Sequence, residues 1–286
     1  MNIRVIQRSI DNYKDLLGDE LSALLSKMYH VASELNYTLD WSGNDEAIEK
    51  AIYEGKPALS AEEPVIEVDW LKDAVSKLLK ASGDRAEHIN LDLLDTADLS
   101  HALTDPHATL ESIVDSLRAD NKELSDQEIS HFSLSYSLAL SLFGEKVHEA
   151  LSDTLDKIHV KPGGNCPVCG NPASLAYIEE STAKDGAPKY LWCSTCHYSW
   201  RYSRIKCEIC GNLKQEDLHY IFAKEKPSHK VHVCEKCGSA FPVVDQGKTS
   251  VLSAFEIEEF VMMDIMQDIL SQDIDLDEIF GKGKAN

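Results

Sequence analysis

Eight cysteines in this chain occur as four Cys-x-x-Cys pairs and nowhere else: Cys166/Cys169, Cys193/Cys196, Cys207/Cys210 and Cys234/Cys237. Advancing 166, 169, 193 and 196 by 41 gives 207, 210, 234 and 237, so the chain carries one unit twice. The copies share neighbours as well as sulfur. Cys169-Gly170-Asn171 is matched by Cys210-Gly211-Asn212, and Trp200 stands where Phe241 stands in the second copy. Two residues between cysteines let both sulfurs of a tight turn face one ion, and two such turns complete a tetrahedral site. Glycine after the second cysteine, at Gly170, Gly211 and Gly238, permits the backbone that turns N–H groups toward sulfur. The 23 residues separating the pairs of each copy suit a short β-hairpin that carries one turn to the other.

This spacing predicts eight metal ligands and two ions, with 166/169 closing on 193/196 and 207/210 on 234/237. The alternative joins 193/196 to 207/210 across ten residues and leaves the outer pairs to meet. A sulfur tetrahedron accepts zinc or iron. Cys193-Ser194-Thr195-Cys196-His197 also fits the haem-attachment pattern. The repeat already assigns those cysteines to a metal site, which leaves His197 beside the site and not in it. A dithiol redox pair explains neither the doubling nor the spacing.

At 286 residues, 43% apolar and 27% charged, the chain has the composition of a globular protein of roughly two domains. The first residues lack the continuous apolar run and small-residue cleavage site of a secretory signal. No stretch approaches the roughly 18 to 20 apolar residues of a membrane span. A cytoplasmic protein is expected, where thiols stay reduced and hold metal in preference to forming disulfides. The net charge of −21 is unevenly placed. Residues 1–160 hold 14 Lys/Arg against 31 Asp/Glu, residues 161–247 hold 11 against 9, and residues 248–286 hold 3 against 9. Such acidity argues against nucleic acid as a partner, because phosphate binding draws on Lys and Arg.

Outside the cysteine region the period is helical. Ile10, Tyr13, Leu17, Leu21, Leu24, Met28, Val31 and Leu35 predict one helix from Ser9 as N-cap, with Gly18 a weak point inside it. Val68, Leu71, Val75, Leu78 and Leu79 predict a second that ends at Gly83. Asp105-Pro106 opens a third. Ser125-x-x-Glu128 is a capping box, and Phe132, Tyr136, Ala139, Phe143, Val147, Leu151, Leu155 and Ile158 continue one long helical face. The alternation from Phe132 to Leu142 also has a strand period, and the helix is preferred. His131, His148 and His159 are too far apart for a metal pair and are expected at the surface. Lys161-Pro162-Gly163-Gly164-Asn165 breaks the helix. Ser253-x-x-Glu256 announces a closing helix with Phe255, Phe260, Val261, Ile265 and Leu270, before an acidic tail from Asp273. The chain is thus α+β: an all-helical domain over 1–160, two small rubredoxin-like or zinc-ribbon-like β modules over 161–200 and 201–247, and a C-terminal helix and tail over 248–286.

Aromatic and arginine side chains cluster where the copies meet. Trp200 is expected inside the first module as its aromatic plug, as Phe241 is in the second. Arg201, Tyr202 and Arg204 are the candidates for contact with a partner, since such residues are enriched at interfaces.

Cys166-Pro167-Val168-Cys169-Gly170, Lys189 to Cys196, Trp200, Arg204 to Gly211 and Cys234-Glu235-Lys236-Cys237 together resemble the formate dehydrogenase accessory protein FdhE family. The likeness runs from about Asn165 to Cys237. The polar insertion from Glu179 to Pro188, and Gly238-Ser239-Ala240-Phe241 after the last pair, depart from the family pattern. The resemblance implies a cytoplasmic, non-catalytic maturation factor that binds the catalytic subunit of a molybdenum- or tungsten-dependent formate dehydrogenase during assembly. It also implies rubredoxin-like sites and sets iron level with zinc. Two other readings remain open: a zinc-ribbon interaction or regulatory protein, and a rubredoxin-like electron carrier.

Overall fold

The structure is a computed structural model that describes residues 1–41, 43–83, 88–157, 163–180, 187–223, 226–249 and 253–271. His159, Lys161, Pro162, the middle of the polar insertion and the acidic tail lie outside the described residues. Helices α1 (Ile3–Asn12), α2 (Lys14–Glu34), α3 (Asp45–Tyr53), α4 (Val68–Ser82), α5 (Pro106–Asp120), α6 (Asp126–Ala150) and α7 (Ser152–Lys157) precede a six-stranded sheet. Helix α8 (Phe255–Ser271) follows it. The molecule is α+β, as its sequence implies. No helix among the described residues is long and apolar enough to cross a membrane.

Local signals set several helix ends. Asp105 accepts from the Ala108 amide with Pro106 in the first turn, and Gly83 closes α4 at φ 147°. Ser125 and Glu128 cap one another at the start of α6. The helical period therefore prevails over the strand alternation, but the single long helix expected there ends at Ala150, Leu155 falls on the separate α7, and Ile158 lies outside the described residues. Phe132, Tyr136 and Phe143 of α6 are all buried, against α4 and its neighbours.

The N-terminal expectation needs correction. Two helices stand where one was expected, and α2 carries a break at Gly18 (φ 74°, ψ 166°). That break resets the helical phase, so Ser22, Leu25, Met28, Tyr29 and Ala32 form the buried face, while Leu21, Leu24 and Val31 are half-buried. Ser9 is not an N-cap. It lies inside α1, whose cap is Asn2, and its hydroxyl accepts from the Ala254 amide at the head of α8 (2.8 Å). Tyr13 reinforces that junction, donating to Glu258 of α8 (2.6 Å), which His229 of the sheet also contacts (2.8 Å).

The strands are β1 (Leu175–Ile178), β2 (Lys189–Trp192), β3 (Ser199–Tyr202), β4 (Leu218–Ala223), β5 (Lys226–Cys234) and β6 (Ser239–Asp245). Each cysteine copy supplies an antiparallel three-stranded unit, with β1-β2-β3 in the first and β4-β5-β6 in the second. The units are fused. β1 pairs in parallel with β6, Ala176 opposite Val243 and Tyr177 opposite Val244, giving one sheet of order β3-β2-β1-β6-β5-β4. A parallel pair needs a long crossover, and the intervening chain through the second copy provides it. Central β1 is buried along its whole length, as a strand covered on both faces must be.

Candidate metal centres

In the first copy, the 166–169 turn precedes β1 and the 193–196 turn links β2 to β3. In the second, the 207–210 turn precedes β4 and the 234–237 turn links β5 to β6. Each turn closes on itself: the amides of Gly170, His197, Gly211 and Gly238 donate to the carbonyls of Cys166, Cys193, Cys207 and Cys234 at 2.8–3.1 Å. All four closing residues have φ between 57° and 85°, and His197 alone of them is not glycine. A left-handed non-glycine residue is uncommon and is held here by its surroundings. The ring of His197 stacks on Trp192, with centroids 5.5 Å apart.

The sulfurs meet in the sequential grouping. Cys166, Cys169, Cys193 and Cys196 present their Sγ atoms within 4.8 Å of one another, and so do Cys207, Cys210, Cys234 and Cys237. The closest approaches are 3.5 Å for Cys166 to Cys196, 3.6 Å for Cys169 to Cys193, and 3.8 Å for both Cys207 to Cys237 and Cys210 to Cys234. A tetrahedral ion with metal–sulfur bonds near 2.3 Å has edges of about 3.8 Å. Both sets therefore fit such an ion and are too open for disulfides. Each could hold one metal, zinc or iron, which would cross-link its two turns. Asn171 Nδ2 donates to Cys169 Sγ (3.1 Å), and its counterpart Asn212 Nδ2 lies 3.9 Å from Cys234 Sγ. Burial pushes the Cys166 and Cys196 thiols up, while hydrogen bonds from Cys166, Cys193 and Cys196 pull Cys169 well down. Burial thus disfavours several thiolates side by side in the first set, and a bound cation would offset that cost.

The copies differ in their surroundings. All four sulfurs of the first are buried under the helical layer. The amides of Ala58 and Leu59 donate to the carbonyls of Pro167 and Val168 (2.8 and 3.0 Å). Asn171 also donates to the Leu103 carbonyl (2.6 Å), and His148 Nδ1 donates to the Cys196 carbonyl. His148, expected at the surface, is thereby placed against the metal turn. Gly144 of α6 rests directly on Thr195 and Cys196. In the second copy Cys210 and Cys237 are exposed, and Ile205, Ile209 and Leu213 beside them are 51%, 57% and 63% exposed.

Between the centres lies a buried charge cluster with no sequence signal. Lys189 of β2 and Glu208, next to Cys207, pair with 0% and 1% side-chain exposure, and His232 Nδ1 reaches Glu208 at 2.7 Å. Burial alone would raise the Glu208 carboxyl, but His232 and Lys189 outweigh it and hold it below the usual range.

The aromatic patch divides. Trp200 is buried and donates from Nε1 to the Gly163 carbonyl (3.1 Å), and Phe241 is buried in the second unit. Tyr202 is buried too, its hydroxyl donating to the Cys207 carbonyl (2.8 Å), so it braces the second centre from inside. Arg201 and Arg204 are exposed.

The model of the FdhE central domain matches residues 165–204, the whole of the first centre. Residues 165–204 are thus similar to the central domain of FdhE. An FdhE homolog of Aquifex aeolicus is 36% identical over 83 residues, which span 29% of each chain. The FdhE of Salmonella choleraesuis is 31% identical over 90 residues, 31% of this chain and 28% of the relative. An FdhE homolog of a Shewanella species is 26% identical over 143 residues, 50% of this chain and 42% of the relative. The matched sequence thus spans less than half of each of these relatives. Likeness in fold extends further: the crystal structure of FdhE from Pseudomonas aeruginosa superposes with a TM-score of 0.59 at 16% identity, covering 94% of this chain and 92% of that one. The FdhE fold thus holds beyond the stretch where sequence can be aligned.

Proposed function

We propose that this protein is a member of the FdhE family and a non-catalytic, cytoplasmic assembly factor for a molybdenum- or tungsten-dependent formate dehydrogenase. It binds the catalytic subunit through the second metal centre, with the first centre serving as the joint to the helical layer. The observation that carries this reading is the difference between the two sulfur sets: one is sealed by protein, the other stands at the surface among apolar side chains. Isolated exposed apolar residues are ordinary, but three around one metal turn form a patch that a partner would cover. Arg201 and Arg204 nearby, exposed on an otherwise acidic molecule, favour an acidic partner surface.

The deciding experiment is affinity purification from anaerobic cells with mass-spectrometric identification of co-purifying subunits. Recovery of a formate dehydrogenase catalytic subunit, lost on Ile209→Ser with Leu213→Ser at unchanged metal content, is expected. A preparation that never enriches that subunit would overturn the reading in favour of a general zinc-ribbon interaction protein. Exposure of Cys210 and Cys237 also suits electron entry, so metal analysis belongs in the same experiment. Zinc at the second centre removes the electron-carrier reading.

A further inference from the structure

A cleft of about 370 Å³ opens beside the contact between the helical layer and the first metal centre. Its walls include Leu110 of α5, Leu134 of α6, Trp192 of β2 and Phe260 of α8, and its floor includes Ser194 and Thr195 from the metal turn. Exposed His107 stands at its edge. Glu256 and Glu259, one turn apart on α8, both line it, and no lysine or arginine does. Burial raises the Glu259 carboxyl to about 7, negative charge at Cys193 and Glu256 adds to this, and the Ser194 and Ser174 hydroxyls oppose it. Tyr29 also lines the cleft, and its hydroxyl is raised by burial and by these same two carboxylates. Tyr136, 1% exposed, lines the cleft as well, and its buried hydroxyl has no hydrogen-bond partner among the described residues.

An unsatisfied buried hydroxyl calls for an explanation, and paired acids without a cation are costly in a partly dry site. An anion would be repelled. A neutral apolar ligand would strip water from the carboxylates without replacing it. A cation on an apolar stem meets each requirement: its head bonds to carboxylate, its stem packs against leucine, and aromatic faces accept it. Guanidinium suits best, because its planar fork can serve two acids at once and stack on Trp192 or Phe260.

We propose that this cleft is a binding site for an arginine side chain on an extended segment of a partner protein. It is separate from the exposed second centre and does not depend on what binds there.

The test uses the full chain loaded with metal and two probes, acetyl-Leu-Arg-Leu-amide and its citrulline counterpart, titrated by calorimetry. Citrulline keeps the shape of arginine and lacks its charge. The arginine peptide is expected to bind at least roughly tenfold more tightly, Glu259→Gln to reduce the difference, and Glu256→Gln with Glu259→Gln to abolish it. Leu110→Trp, which fills the cleft, is expected to weaken both peptides. Metal content and melting temperature show whether each variant is folded. Equal binding of the two peptides to the unaltered protein, or no binding by either up to roughly millimolar concentration, overturns the proposal without recourse to any variant. Undiminished discrimination in the folded double variant Glu256→Gln with Glu259→Gln also overturns it.

Discussion

Gly144 of α6 lies against the carbonyl of Thr195 so closely that a methyl group placed on it would stand 2.3 Å from that oxygen. The same methyl would be 2.9 Å from the Cα of Cys196. The helical layer therefore touches the first metal centre backbone to backbone.

Gly144→Ala is expected to destabilise. Alanine gains about 1 kcal/mol over glycine inside a helix, but overpacking against backbone costs about 1–3 kcal/mol, and the metal turn resists moving aside. The melting temperature should fall and one metal per chain should become easier to remove. A rise in melting temperature would show that α6 and the turn separate freely.

Lys189→Met should cost about 3–5 kcal/mol, because Glu208 stays buried with only His232 to offset its charge. Lys77→Met, at an exposed helix pair with Asp73, should change stability by less than about 0.5 kcal/mol. Urea unfolding of both variants checks the contrast. Equal effects would mean that the charge cluster between the centres contributes nothing particular.

Metal should leave the two centres at different rates. A chelator reaches Cys210 and Cys237 at the surface but must wait for the helical layer to open before it reaches the first set. Release followed with a chromogenic chelator should therefore be biphasic, with equal amplitudes and one ion in each phase. Cys207→Ser should remove the fast phase and leave the slow one. Loss of the slow phase instead would reverse the assignment.

Arg201→Glu with Arg204→Glu should weaken binding of the proposed client and make what remains less sensitive to salt, since both side chains are exposed. Metal content and unfolding midpoint should not change. Client recovery equal to that of the unaltered protein would remove the arginines from the docking face. Tyr202→Phe gives a separate contrast: it removes the bond to the Cys207 carbonyl and should cost about 0.5–1.5 kcal/mol.

Several features needed no structure because their causes are local in the chain. The capping box at Ser125 and Glu128, the proline start at Pro106 and the glycine end at Gly83 each satisfy backbone groups within a few residues. Cysteine spacing acts over a longer range but is still a one-dimensional signal, and the grouping of the eight sulfurs follows it. Gly18 was visible as a weakness. Its consequence, a reset phase and a different buried face, depends on a φ of 74° that no periodicity reveals.

The sequence by itself determined that there are two four-cysteine units and where helices α5 and α6 begin and α4 ends, and it favoured the grouping of thiols that the structure shows. Tertiary structure alone decided that β1 and β6 join the units into one sheet, that Ser9 bonds to the head of α8, and that Lys189 is buried beside Glu208. It also decided that one centre is sealed and its copy exposed. The two copies carry the same ligand pattern, so nothing in that pattern distinguishes them. The distinction arises from what packs over each, a relation between residues far apart in the chain: Gly144, His148 and Ala58 meet the first centre, while Ile205, Ile209 and Leu213 surround the second and stay open to solvent.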